Sequence, residues 1–207
     1  MKFRTASRCA AWAAGLLLAG TVQADYLWLQ TEGGRAKVYA GELARPLAQL
    51  PALADAKPVL PEGRTLPLVT ATDHYAFQPE GAGDQRFTAV RAGSDGVLTY
   101  FQARYGRAEP KAVNDLELVP TEANGNRFQL FFKGRPVAAS QVNVETSEGW
   151  RRVLTPAQDG TVGFTPWMPG LYVLEVTARV NNGSVTLDGR KYEDVRHTST
   201  LSFEVQR

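Results

Sequence analysis

Leu171-Tyr-Val-Leu-Glu-Val-Thr-Ala-Arg-Val180 decides the fold class. Tyr172, Leu174, Val176, Ala178 and Val180 share one face of an extended chain, and Glu175, Thr177 and Arg179 share the other. A period of two is that of a half-buried β-strand. The run begins at Pro169-Gly170, a turn signal. Working outward, Leu201, Phe203 and Val205 alternate with Ser202, Glu204 and Gln206 in the same way. Arg127 to Lys133, Gln141 to Glu145 and Thr161 to Thr165 read as further strands. Asp95-Gly96, Asn124-Gly125, Asp159-Gly160 and Asp188-Gly189 supply the positive φ angles of tight turns. Five strands after residue 120 are enough for a small sandwich.

Upstream, Tyr26 to Leu29, Ala36 to Ala40, Phe87 to Arg91 and Val97 to Arg104 read as strands in a less regular setting. Leu43, Leu47, Leu50 and Leu53 have near-helical spacing, but Pro46 and Pro51 interrupt any long helix. Lys57 to Pro67, which carries Pro58, Pro61 and Pro67, reads as an extended loop. The expectation is an all-β protein. Residues 25–120 form an irregular amino-terminal β domain, and residues 121–207 an immunoglobulin-like β-sandwich. The expected core of the latter is Phe128, Leu130, Phe132, Val142, Val144, Phe164, Tyr172, Leu174, Val176, Leu201, Phe203 and Val205.

Residues 1–24 read as an address. Lys2, Arg4 and Arg8 precede an apolar run from Ala10 to Ala19, and Val22-Gln-Ala24 offers the small residues of a cleavage site. The run is shorter than the roughly 20 residues that cross a bilayer. A cleavable secretory signal peptide ending at Ala24 is expected, and with it a periplasmic location. The whole chain has 207 residues, 23 Lys and Arg, 21 Asp and Glu, and one cysteine, Cys9. Removing the address takes Cys9 and three bases, leaving 20 bases against 21 acids. A near-neutral chain lacks the basic surface of a nucleic-acid binder. Without cysteine there is no disulfide, thiolate metal site or thiol nucleophile. No later apolar stretch reaches membrane-spanning length.

No nucleophile elbow, zinc-protease helix or phosphate loop is present. Ser199 follows His197 too closely on one strand to suggest a triad, so no enzyme is expected. Asp73-His74-Tyr75 has imidazole and carboxylate, ligands for first-row divalent metals, but reads first as an exposed loop. His197 shares the inward parity of Leu201 and Phe203, the position of a structural histidine. Asp194 and Arg196 share the outward parity and suit a surface pair. Asp25 would offer an α-amino group and a carboxylate if cleavage falls after Ala24. Trp150 and Trp167 look too isolated in sequence to form a stacking platform, and Trp167 is expected to pack at a sandwich end.

Phe131-Phe-Lys-Gly-Arg-Pro-Val137, Asp159-Gly-Thr-Val-Gly-Phe164 and Pro169-Gly-Leu-Tyr-Val-Leu-Glu-Val176 occur in an order that resembles the carboxy-terminal half of the family called domain of unknown function (DUF) 4198. Asp188-Gly-Arg-Lys-Tyr192 and Arg196-His-Thr-Ser-Thr-Leu201 resemble its ending, and Asp25-Tyr-Leu-Trp-Leu29 its start. The resemblance implies a periplasmic, non-enzymatic accessory protein associated with nickel or cobalt uptake. It implies a divalent transition metal as cofactor, with His197 as the one ligand that carries over, and a metal-uptake transporter or another envelope protein as partner; Asp25 and His74 join it as candidate ligands on their own chemistry. Members that bind metal often begin the mature chain with histidine, and this one has Asp25-Tyr26. The other expectation is an envelope protein–protein interaction module that binds no metal.

Overall fold

The computed structural model describes residues 25–60, 64–81, 83–139, 141–180 and 183–206, and the expected signal peptide lies outside them. The protein is all-β, with no helix among the described residues. In chain order the first nine strands are β1 (Tyr26–Glu32), β2 (Arg35–Glu42), β3 (Arg45–Pro46), β4 (Ala54–Pro58), β5 (Val69–Thr70), β6 (His74–Phe77), β7 (Gln85–Ala92), β8 (Val97–Tyr105) and β9 (Leu116–Pro120). The next nine are β10 (Arg127–Phe132), β11 (Arg135–Pro136), β12 (Val142–Thr146), β13 (Arg151–Leu154), β14 (Thr161–Gly163), β15 (Gly170–Val180), β16 (Val185–Leu187), β17 (Arg190–Tyr192) and β18 (Asp194–Val205).

A central seven-stranded sheet has the order β13-β12-β15-β18-β8-β7-β4. Its neighbours are antiparallel except β8 and β18, which run parallel from Val97 opposite Asp194 to Tyr105 opposite Ser202. Strands from both sides of residue 120 therefore share one sheet. The division expected at 120/121 falls between β9 and β10, which pair over five residues.

Register assigns the two faces. Leu201 lies opposite Arg104, and Thr200 opposite Ala103, so Leu201 and Ala103 point to opposite sides. On the Ala103 side, Phe87, Ala89 and Phe101 pack with Leu27, Leu29, Val38, Tyr75 and Phe77 of the sheet β1-β2-β6-β5. On the Leu201 side, Tyr172, Leu174, Val176 and Phe203 pack with Leu116, Leu118, Phe128 and Leu130 of the sheet built around β10. The protein is thus three sheets deep, with the outer two covering opposite faces and different halves of the central one. All twelve residues expected in the carboxy-terminal core belong to the second cluster, Phe132, Phe164 and Val205 at its partly buried margin. Leu47, Leu50 and Leu53 form no helix; they pack, partly buried, against the first.

The layers are tied by polar groups that burial would otherwise penalise. The Thr200 hydroxyl donates to the carbonyl of Leu27 at 2.6 Å, and the Ser202 hydroxyl donates to that of Leu29. Arg104, with no exposed surface, donates through Nε to Asp84 at 3.0 Å and through Nη1 to Glu117 at 2.9 Å. Arg86 donates to the same Glu117 oxygen at 2.8 Å and to Glu109 at 2.7 Å. The second Glu117 oxygen accepts the N–H groups of Val113 and Asn114, each at 2.7 Å. Burial alone would lower the Arg86 pKa, but Glu117 and Glu109 outweigh it and raise the value. These contacts fasten β7, β8, β9 and the loop between β8 and β9 together.

Removing one member strands the other charges in the interior. Arg104→Ala is therefore expected to lower the unfolding free energy by about 3–5 kcal/mol, measured by urea denaturation. A loss below about 1 kcal/mol, the scale of an exposed ion pair, would contradict this account of the network.

Candidate functional site

The three candidate metal ligands stand apart in the layers. Asp25 precedes β1 and places Oδ2 3.6 Å from Arg91 Nη1. His74 opens β6 in an outer sheet, with Nδ1 2.7 Å from Asp73 Oδ1 and its ring 5.2 Å from that of Tyr39. The His74 contact holds the Asp73 carboxyl below its ordinary range. His197 is 5% exposed on the core face of β18, as its parity indicated. Its ring stacks on Tyr100 at 5.0 Å and meets Phe132 edge-on at 5.2 Å. Gln102 Nε2 donates to its Nδ1 at 3.1 Å, which suits a neutral imidazole. Burial pushes the His197 pKa down; nearby Lys133 adds to this and Asp115 opposes it. Asp194 and Arg196 pair on the outward face at 2.8 Å. Among the described residues, no three His, Cys, Asp or Glu side chains are grouped to hold a metal ion.

A different surface emerges where two sheets end side by side. β13 is the terminal strand of the central sheet, and β14 lies at the margin of the β10 sheet. Ser147-Glu148-Gly149 turns the chain from β12 into β13, with Gly149 at φ 80° and its N–H on the Thr146 carbonyl at 2.9 Å. Thr146 N–H donates to the Trp150 carbonyl at 3.0 Å and the Trp150 N–H donates back to the Thr146 hydroxyl at 3.1 Å, so the two occupy a bonded position of the ladder. Alternation then makes Val144–Arg152 and Val142–Leu154 the next bonded pairs. Arg151 and Val153 consequently direct their N–H and C=O groups away from β12. By the same reasoning, Phe164 N–H on the Asn126 carbonyl at 3.2 Å turns the backbone groups of Gly163 away from β10.

Between these two edges runs an open cleft of about 580 Å³ lined by Arg127, Arg152, Val153, Leu154, Thr161 and Val162, among others. Arg152 is exposed and makes no ion pair among the described residues. Arg127, also exposed, donates to Thr161 Oγ1 at 2.9 Å and lies 3.9 Å from Asp159 Oδ2. Arg151 is committed elsewhere, at 2.7 Å from Glu145 and 3.2 Å from Glu42. Burial disfavours the Glu42 charge, but Arg45 and Arg151 outweigh it and hold that carboxyl low. Trp150, immediately before β13, meets Trp167 edge-to-face at 6.4 Å. Trp167 is 67% exposed, and Val153 is 60% exposed. Among the described residues the seam therefore combines outward-facing backbone groups, a guanidinium without an ion pair, and an exposed Trp167 braced on the partly buried Trp150.

Sequence reasoning missed this surface. Trp150 and Trp167 are joined by the fold across a sheet-to-sheet crossing, and Trp167 stands out from the sandwich end instead of packing into it. The available signal was the Ser-Glu-Gly turn after β12, which implies a returning strand at Arg151–Leu154.

No family model and no curated protein matches the chain. Among solved structures, SGBP-B of the Bacteroides ovatus mixed-linkage glucan utilization locus, in complex with mixed-linkage heptasaccharide, is similar at 12% identity and a TM-score of 0.18. The likeness covers 88% of this chain and 47% of that one, and is too slight to carry a fold or a ligand across.

The buried His197 makes a pH prediction. Its lowered folded pKa means that the unfolded chain binds the proton first as pH falls through the ordinary histidine value of about 6.5. Its contribution to stability is complete above that pH and declines as pH falls toward the lowered folded value. His197→Phe is expected to lose less stability than the parent between about pH 7.5 and about pH 5.5, read by urea denaturation at each pH. Equal losses in the two proteins would contradict the assignment.

Proposed function

We propose that the protein is an exported, non-enzymatic periplasmic accessory that acts as an interaction module, docking an envelope protein on the seam between β13 and β14. The observation that carries this reading is Trp167. A tryptophan costs free energy to leave in water, yet this one is 67% exposed and braced against Trp150 beside an unpaired sheet edge. Exposed aromatic side chains of low conformational freedom are the usual anchors of protein interfaces. The basic start, apolar run and small-residue ending of residues 1–24 support export. A photo-crosslinking residue in place of Trp167 is expected to give one discrete adduct in whole cells, weakened by Trp150→Ala. No adduct, or the same adduct from a probe at exposed Val69 in the opposite half of the chain, would overturn the reading.

A second reading is binding of nickel or cobalt in support of uptake, with Asp25, His74 and His197 as the candidate ligands. One contact favours it at His74. Asp73 engages Nδ1, an arrangement that orients an imidazole and leaves Nε2 for an ion. Isothermal titration with nickel or cobalt should then show binding that His74→Ala abolishes. Absence of heat, or binding that survives the substitution, would contradict it.

A further inference from the structure

We propose that the occupant of the seam is an extended, otherwise apolar segment of the partner carrying one acidic residue, which adds to the central sheet as a strand beside β13. This deepens the interaction-module reading and rests on it. The backbone supplies the mode: the N–H and C=O groups of Arg151 and Val153 point outward, and a neighbouring strand is the structure that pairs such groups.

Side-chain parity supplies the pattern. Arg152 shares the face of Val144 and Leu154, toward the cleft, whereas Arg151 and Val153 share the opposite face with Glu145 and Asn143. A residue of the added strand opposite Arg152 enters the cleft between Arg152 and Arg127, where a carboxylate finds two guanidinium groups. Asp159 neutralises Arg127 only loosely at 3.9 Å, with both side chains exposed. The neighbouring position of the added strand lies opposite Val153, whose exposed side chain favours an apolar partner. Beyond the start of β13, Trp150 and Trp167 receive one larger apolar side chain. Glu148, in the turn before Trp150, makes that end unfavourable for a second carboxylate.

The same charges argue against a second copy of this chain as the occupant. Antiparallel pairing of two β13 strands would set Arg151 and Arg152 of one copy against those of the other. Like charges across an edge are a device that blocks such pairing.

The test uses the purified protein labelled for amide NMR and an octapeptide with a single central Glu among Val residues, with a Lys-for-Glu peptide as control. The Glu peptide is expected to bind and to slow amide exchange at Arg151 and Val153. Arg152→Glu should weaken it by about tenfold, the scale of losing an attraction and gaining a repulsion at an exposed site, and should favour the Lys peptide. Val153→Pro removes an N–H that points away from β12, so it should preserve the fold while abolishing binding. Binding that tolerates Val153→Pro, indifference to Arg152→Glu, self-association through β13, or no binding would overturn the inference. Should the Trp167 adduct persist in those cases, the seam remains a docking surface and only its proposed occupant is wrong.

Discussion

The parallel pairing of β8 with β18 is the constraint on which the rest of the structure depends. β18 is the last strand of the chain, and it lies between β15 of the sandwich and β8 of the amino-terminal half. Because the bonds of that ladder run from Asp194 to Ser202, the two halves cannot slide without exposing a run of backbone donors and acceptors. The pairing also fixes which residues face which outer sheet. It puts Thr200 and Ser202 under β1, where their hydroxyls meet backbone carbonyls, and Leu201 and Phe203 into the sandwich core.

Joining the halves at β8 and β18 sends the free edges of the central sheet to its far ends. One is β4; the other is β13. β13 is short, carries two arginines, and has three of its four residues exposed. Those features protect an edge from indiscriminate pairing. The Trp150–Trp167 contact lies where the chain enters β13 and leaves β14, so the aromatic pair and the edge strand belong to one surface.

The sandwich was legible in the sequence because its strands obey a simple rule. In β15 and β18 one face is buried in hydrocarbon, and alternation reveals both the strand and the members of its core. The same parity placed His197 inside and set Asp194 beside Arg196. β9 was hidden because Glu117 interrupts its apolar run, and only the fold supplies Arg86 and Arg104 to neutralise it. β13 was hidden because an exposed edge strand of two arginines and a valine carries little alternation. The β8–β18 pairing was hidden for a deeper reason: its partners are separated by the whole sandwich in sequence, and no local pattern specifies a register across that distance. The candidate site was the least legible part, since its residues meet only after two sheets have formed.

Residue-resolved amide exchange of the free protein tests the central claim most directly. If one sheet unites the halves and ends at an unpaired β13, the amides bonded between β8 and β18 should open together, with the same and highest protection. Along β13, protection should alternate: Arg152 and Leu154 slow, Arg151 and Val153 fast. Exchange of β8 independent of β18, or uniform protection along β13, would contradict the account.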